Sequence, residues 1–292
     1  MENNLSPAKS AVYVASPPWC LPHLRLTAVY RLNYHPRELA EPEKSIRTGT
    51  PVEFGSRGKS AKIYILSISA MTATLEEIYD RLFAAYGPQH WWPGESPFEV
   101  LIGAVLVQNT SWRNVARAID NLKQENLLQP QALYDLPLRE LEELIRPAGY
   151  FRVKARRLRN LLEFLVRRYD GSLDAMFATE LSSLREDLLG INGVGPETAD
   201  SILLYAGALP TFVVDTYTHR VFARHGWISF DADYHTIQEH FQSGLEPNAA
   251  LYNEYHALLV RVGHLHCRKT PKCEGCPLAD LLPEGGPLEP DC

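Results

Sequence analysis

The chain has 292 residues, of which 45% are hydrophobic and 22% are charged. This hydrophobic content is enough for a folded core and excludes a disordered chain. The formal net charge of −6 argues against a protein that coats nucleic acid by overall positive charge, although a local basic surface stays possible. No apolar run approaches the roughly 18–20 residues of a membrane span, so we expect no membrane association. Five cysteines do not make a disulfide scaffold, but four of them lie in the last 26 residues.

The first 70 residues differ from the rest of the chain. They are rich in proline and small polar residues, show no sustained helical periodicity, and carry a net charge of +4, which leaves −10 for residues 71–292. Residues 1–70 are therefore predicted to be a basic, disordered N-terminal extension, or an extension of the gene model upstream of a true start at Met71. No clean apolar or amphipathic targeting segment is present, and we expect a cytoplasmic protein.

From residue 71 onward the apolar periodicity is helical almost everywhere. Thr74 followed by Glu77 has the form of a helix cap before an amphipathic segment that ends near Phe83. Residues 98–107 are apolar nearly all round, which is typical of a buried central helix. Further amphipathic helices are predicted at 112–124, 138–146, 152–169, 180–189, 196–206, 216–225, 233–244 and 249–264. Strand-like alternation is scarce, so the predicted fold class is all-α.

Residues 188–203 contain a glycine-rich turn between two of these helices. One helix ends at Gly190, the turn uses Gly193 and Gly195, and Pro196 occupies the first position of the next helix. Glycines allow a sharp turn and a close backbone approach, so the backbone N–H groups here could bind a phosphate without a basic side chain. The same spacing also fits an ordinary helix–helix turn.

Together with residues 210–216 and the C-terminal cysteines, this hairpin resembles the helix–hairpin–helix DNA glycosylases of the endonuclease III (HhH-GPD) superfamily, over about residues 97–277. The resemblance implies a glycosylase domain at 71–264, built as two helical lobes, and an iron–sulfur-like cysteine loop at 265–292. It also implies that Asp215 is catalytic. The hairpin residues that would hold the DNA backbone are Gly193, Val194, Gly195 and Thr198.

Asp215 follows a short apolar run and precedes an amphipathic helix, which is the position of an N-cap. A carboxylate there stays ionised and could stabilise the cationic transition state of glycosidic cleavage and orient water, or it could be a plain capping aspartate. Bifunctional members of the family have a lysine just after the hairpin, where this chain has Glu197. A carboxylate cannot form the Schiff base that β-elimination requires, so the sequence favours a monofunctional glycosylase without AP lyase activity.

The loop after the buried helix and an upstream aromatic stretch are predicted to handle the damaged base. In the superfamily, the glutamine matching Gln108 enters the gap left by an extruded base. The aromatic pattern looks most like the 3-methyladenine branch, in which aromatic rings sandwich an alkylated, cationic purine by stacking and cation–π attraction. Core packing is the alternative role for the tryptophans. The predicted pocket and gap residues are Trp91, Trp92, Pro93, Gln108, Asn109 and Trp112.

Residues 146–168 hold eight basic residues and one acid. On a helix that begins at Arg152, the side chains of Arg152, Arg156 and Arg159 share one face, which suits contacts to DNA phosphates. A merely solvated charged face is the alternative.

The C-terminal cysteines resemble the iron–sulfur loop of the family, with two departures. The first gap is one residue shorter than in the family, and Leu282 stands at the fourth cysteine position, so Cys292 is the remaining candidate ligand. Four thiolates suit a [4Fe–4S] cluster or structural zinc. The resemblance favours the cluster, and zinc or an empty loop are the alternatives. The predicted ligands are Cys267, Cys273, Cys276 and Cys292.

The leading hypothesis is a monofunctional DNA glycosylase that flips an alkylated purine out of the duplex and hydrolyses its N-glycosidic bond. One alternative is an endonuclease III-type glycosylase for oxidised pyrimidines with weak AP lyase activity, and another is a non-catalytic helix–hairpin–helix DNA-binding protein. The expected partner is double-stranded DNA with a damaged base, so we expect a protein associated with the nucleoid, and we expect a monomer.

Overall fold

The helical periodicity of the sequence is realised as helices throughout residues 73–92 and 94–290, the part of the chain that the computed structural model describes. Pro93, Cys292 and the predicted N-terminal extension lie outside this part. The α-helices, in chain order, are α1 (Leu75–Tyr86), α2 (Pro97–Leu106), α3 (Trp112–Gln124), α4 (Pro130–Asp135), α5 (Leu138–Leu144), α6 (Phe151–Tyr169), α7 (Leu173–Phe177), α8 (Leu181–Leu189), α9 (Pro196–Ser201), α10 (Thr216–Arg224), α11 (Tyr234–Gly244) and α12 (Ala249–Leu265). A π-helical turn, Ile202–Ala206, continues α9. The all-α prediction is confirmed.

Local sequence signals set several helix boundaries. The Thr74 hydroxyl accepts a hydrogen bond from the N–H of Glu77 at 3.1 Å and so caps α1 as predicted. Ser96 caps α2 in the same way, with Pro97 at the first helical position. Helix α2 is buried from Phe98 to Leu106, which explains why its sequence is apolar on every side. None of the helices in the described ranges is long and apolar enough to span a membrane.

Two hydrophobic cores divide these helices into two lobes. The first lobe is built from α2 to α9, and the second from α1, α10, α11, α12 and the apolar segment at 212–214. Helices α1 and α12 come from opposite ends of the described chain and pack together, and the Tyr255 hydroxyl donates to the carbonyl of Leu75 at 2.9 Å. The second lobe is therefore assembled from both ends of the sequence around a contiguous first lobe.

A buried carboxylate joins the two lobes. Asp200 on α9 has a fully buried side chain and accepts hydrogen bonds from Arg185 of α8 at 2.7 and 2.9 Å. Tyr234 and Gln238 of α11 donate to the same carboxylate at 2.8 Å each. Because a charge is tolerated in the interior only when it is paired and hydrogen-bonded, this network fixes how α9 meets α11.

Candidate active site

Asp215 caps the N-terminus of α10, as the sequence predicts. Its Oδ1 accepts hydrogen bonds from the N–H groups of Tyr217 and Thr218 at 2.9 and 2.8 Å and from the Thr218 hydroxyl at 3.0 Å. Three donors on one oxygen fix the orientation of the carboxylate, and the helix N-terminus favours its negative charge. The side chain is 13% exposed. The capping role thus uses Oδ1 and leaves Oδ2 for other interactions.

Three further titratable side chains surround this carboxylate. Nε2 of His256 lies 3.7 Å from Oδ2 of Asp215, and Nδ1 of the same imidazole lies 2.6 Å from the Tyr205 hydroxyl. Burial lowers the pKa of His256, and burial followed by the Asp215 charge raises the pKa of Tyr205 well above its ordinary value. Surrounding protein and then the Asp215 charge raise the pKa of Glu197 to about 7, although this residue still reaches solvent. His256 and Tyr205 are therefore neutral at neutral pH, and Glu197 titrates close to it.

An aromatic cluster extends from these groups to α3. The Trp91 ring lies 6.4 Å from the His256 ring and 5.8 Å from Trp92, which in turn lies 5.0 Å from Tyr205 and meets Trp112 edge-on at 5.2 Å. The three predicted pocket tryptophans are thus brought together. Trp92 and Trp112 touch each other and pack on the first core, so a base does not fit between these two rings in this arrangement.

The indole nitrogens of Trp91 and Trp92 are both buried in the described structure. Nε1 of Trp91 interacts with the Tyr205 hydroxyl. Nε1 of Trp92 lies on the α2 side of its ring, 3.6 Å from where a Cβ of Gly103 would be. The indole N–H groups are therefore turned into the protein and do not face a ligand.

Gln108 binds the hairpin. Its Nε2 donates to the carbonyl of Gly193 at 3.1 Å and to the Thr198 hydroxyl at 2.9 Å, and its Oε1 accepts from Arg157 of α6. Insertion of Gln108 into a base gap therefore requires these three hydrogen bonds to be exchanged. The neighbouring Asn109 is exposed and has a φ of +53°, so the loop turns sharply at this point.

The hairpin presents backbone on its outer side. Gly193 has a φ of +100°, and a Cβ there would lie 2.2 Å from Cγ of Arg157. Gly195 has a φ of −97°, and a Cβ there would meet no atom within 4 Å, whereas Val194 between them is buried. In the part of the chain that the structure describes, the N–H groups of Gly193 and Gly195 donate to no protein acceptor. The turn thus offers two free N–H groups, and Gly195 has open space beside its backbone, as expected for contact with a phosphate.

The basic residues of α6 differ in how free their side chains are to contact DNA phosphates. Arg152 and Arg156 are exposed, whereas Arg159 donates to the carbonyl of Leu136 and lies 5.6 Å from the centre of the Tyr134 ring. The guanidinium of Arg159 is therefore already bonded within the protein. The sequence analysis did not single out Tyr150, which precedes α6 in a left-handed conformation with 73% of its surface exposed.

Comparison with known proteins shows the family of this chain. Residues 102–247 match the family model of HhH-GPD superfamily base excision DNA repair proteins. A protein named as a DNA repair glycosylase in Methanocaldococcus jannaschii is 48% identical over 207 residues, which is 70% of this chain and 94% of that protein. The chain is a base-excision DNA glycosylase of the HhH-GPD superfamily.

Two solved structures resemble this glycosylase. The H. pylori 3-methyladenine DNA glycosylase bound to 1,N6-ethenoadenine has a TM-score of 0.57 and 30% sequence identity, and the likeness covers 64% of this chain and 96% of that chain. An endonuclease III–DNA complex has a TM-score of 0.62 and 27% identity, covering 72% of this chain and 94% of that chain. These likenesses support DNA as the partner of the glycosylase.

The cysteine loop of the glycosylase is attached to the helix that Asp215 caps. Arg220 of α10 donates to the carbonyl of Cys267 at 2.6 Å, and Nη1 of the buried Arg224 lies 3.5 Å from Sγ of Cys267. Arg224 also donates to the carbonyl of Lys269 and to the carboxylate of Glu289, near the end of the described chain. One helix therefore carries the carboxylate at its start and holds the loop at its end.

Three cysteines of the loop line one small cavity together with Leu282. Burial, followed by the charges of Cys273 and Cys267, raises the pKa of the Cys276 thiol. Within residues 73–92 and 94–290, no three Cys, His, Asp or Glu side chains converge closely enough to hold a metal ion. Three thiols in one cavity fit the ligand chemistry of a cluster or of zinc, but they do not complete either site.

Proposed function

We propose that this glycosylase releases an alkylated purine by hydrolysis and does not cleave the DNA strand. The observation that carries the proposal is the free Oδ2 of Asp215, which faces His256 at one end of the aromatic cluster. A fixed carboxylate stabilises the oxocarbenium-like transition state and orients the attacking water, and indoles attract a cationic base. The similarity to a 3-methyladenine glycosylase that binds 1,N6-ethenoadenine supports this substrate class.

Each part of the site has a role in this proposal. The target nucleotide leaves the base stack, and its base lies against the indole rings, which attract a cationic base. The N–H groups of Gly193 and Gly195 bind the phosphate backbone, and the exposed Arg152 and Arg156 contact neighbouring phosphates.

The absence of lyase activity follows from Glu197. This residue stands where the bifunctional enzymes of the family carry a lysine. Desolvation, followed by the negative charge of Asp215, raises the pKa of its carboxyl group. Strand cleavage by β-elimination needs an amine that condenses with the sugar aldehyde, and a carboxyl group cannot supply one.

The test uses purified protein in excess over duplexes that contain 3-methyladenine, 1,N6-ethenoadenine, thymine glycol or a mismatch. Release of an alkylated purine, with strand breaks only after alkali, is the expected result. Asp215→Asn is expected to slow release by roughly 10³-fold, because asparagine keeps the helix cap but lacks the charge. Asp233→Asn is the matched control, since Asp233 caps α11 in the same way and is exposed.

An endonuclease III-type activity on oxidised pyrimidines is the second candidate. The similarity to the endonuclease III–DNA complex favours it. Release of thymine glycol with strand breaks before alkali treatment, and covalent trapping of the enzyme on DNA by borohydride, would select this candidate and exclude the monofunctional one.

We further propose that Cys267, Cys273, Cys276 and Cys292 hold a [4Fe–4S] cluster. The shared cavity of the first three cysteines supports it. Iron and sulfide in the purified protein with broad visible absorbance are expected, and a colourless protein that contains zinc would overturn the proposal. Cys292→Ser is expected to lose iron, whereas Cys20→Ser, outside the loop, is the control.

A further inference from the structure

His256 has one nitrogen bonded and one aimed at the active site. It lies on α12, is 5% exposed, and its Nδ1 is 2.6 Å from the Tyr205 hydroxyl. Its Nε2 is buried, has no hydrogen-bond partner in the described residues, and lies 3.7 Å from Oδ2 of Asp215. The unpaired nitrogen therefore faces the carboxylate oxygen that the helix cap leaves free.

The surroundings of the imidazole decide which nitrogen carries the proton. Burial lowers the pKa of His256, so the ring is neutral at neutral pH and has a single N–H. The Tyr205 hydroxyl stays protonated and can donate to Nδ1, whereas the ionised Asp215 carboxylate can only accept. With the proton on Nδ1, two acceptors would face each other at Nε2 in a buried site, so the Nε2–H form is favoured.

We propose that Tyr205 and His256 form a positioning relay for Asp215, an inference that rests on the proposed hydrolytic function. Tyr205 holds the imidazole in the Nε2–H form, and this N–H fixes Oδ2 toward the reacting sugar, while the α10 backbone fixes Oδ1. A separation of 3.7 Å is longer than a hydrogen bond. The contact tightens when DNA fills the site, as catalytic hydrogen bonds commonly do.

The relay also connects the carboxylate to the base pocket. The Trp91 ring lies 6.4 Å from the His256 ring, and Trp92 lies 5.0 Å from the Tyr205 ring. A base bound against these indoles packs on the groups that orient Asp215.

The test compares His256→Leu, His256→Gln and Tyr205→Phe with the wild-type enzyme. Base release is measured in single turnover with saturating enzyme, on the lesion that the wild-type enzyme releases fastest. Affinity for a duplex with an abasic-site analogue and the melting temperature are measured separately. His256→Leu is expected to slow release by about 30-fold with little change in affinity, because it removes the hydrogen-bond donor to the charged Oδ2. His256→Gln, whose amide N–H can replace Nε2–H, is expected to recover most of the rate.

Several outcomes would overturn the relay. Release by a folded His256→Leu protein at the wild-type rate would do so, and so would a glutamine variant as slow as the leucine variant, since packing alone would then explain the loss. If the wild-type enzyme releases no base, the proposed function fails, but nitrogen NMR still tests the relay. The His256 ring, assigned by its absence in His256→Gln, is expected in the Nε2–H form and to shift in Tyr205→Phe. The Nδ1–H form would refute the relay.

Discussion

Replacement of Gly193 by alanine is expected to destabilise the hairpin, whereas the same replacement at Gly195 is not. Gly193 has a φ of +100°, and a left-handed backbone costs a residue with a side chain about 1–3 kcal/mol. The new Cβ would lie 2.2 Å from Cγ and 2.8 Å from Cδ of Arg157, atoms too close to the α6 backbone to swing away freely. Displacing Arg157 also breaks its hydrogen bond to Gln108, which for a charged donor is worth about 1.5–3 kcal/mol.

Together these effects lower the free energy of unfolding by about 2.5–6 kcal/mol. In a domain of this size the melting temperature then falls by roughly 10 °C. At Gly195 the φ of −97° suits any residue and a Cβ meets no atom within 4 Å. Gly195→Ala is therefore expected to melt within about 2 °C of wild type. Thermal unfolding followed by far-UV circular dichroism measures both variants.

At Gly195 the expected effect of the alanine variant on DNA binding differs from its effect on stability. Gly195→Ala is expected to bind an abasic-site duplex more weakly while it melts normally, because a methyl group limits how closely a phosphate can approach the turn. Arg157→Ala in the Gly193→Ala background separates steric overlap from backbone strain in a double-mutant cycle. A Gly193→Ala protein that melts within about 2 °C of wild type would refute the reasoning.

Three other variants test separate features. The pKa of Glu197 in the folded protein is about 7, above its ordinary value of 4.5, so the contribution of this exposed residue to stability falls as pH rises from about 4.5 through 7. Glu197→Gln should match the wild-type melting temperature near pH 4.5 and exceed it above pH 7, and a pH-independent difference would contradict this. Asp200→Ala leaves Arg185 without its buried partner and should lower the free energy of unfolding in urea by about 3–5 kcal/mol. An unchanged urea midpoint would contradict a stabilising role for the Asp200 network between the lobes. Tyr150→Ala should weaken DNA binding without lowering the melting temperature, because this aromatic ring is 73% exposed beside the basic helix, whereas Phe83→Ala on α1 should bind DNA normally.

Much of the helical framework could be predicted because its signals are local. The capping threonine of α1, the apolar α2 and the boundaries of α3 follow directly from residue spacing. Helices α4 and α7 were not predicted, since six and five residues are too few to show a helical period. The buried hydrogen-bond network of Asp200 was not predicted either, because its partners on α8 and α11 are distant in sequence.

The site was only partly predictable for the same reason. Asp215 is recognisable from its position before a helix, and the tryptophans from their pattern. His256 is a single histidine in a largely apolar helix, and only the fold brings it to Asp215 and to Tyr205, 51 residues earlier. Within the basic run, helical spacing places Arg152, Arg156 and Arg159 on one face. Only the fold shows that the Arg159 guanidinium is bonded to the Leu136 carbonyl and packed on Tyr134.

The packing of α1 against α12 has a consequence for synthesis on the ribosome. The first lobe is contiguous from α2 to the end of the π-helical turn, so it can fold as soon as those residues emerge. Helix α1 emerges before it, yet the partner of Leu75 is Tyr255, 180 residues later. The apolar face of α1 therefore stays exposed to solvent until α12 has been synthesised. We expect the nascent chain to be most open to chaperones and proteases during this interval, and a protein that lacks α12 to keep a folded first lobe and an unprotected α1.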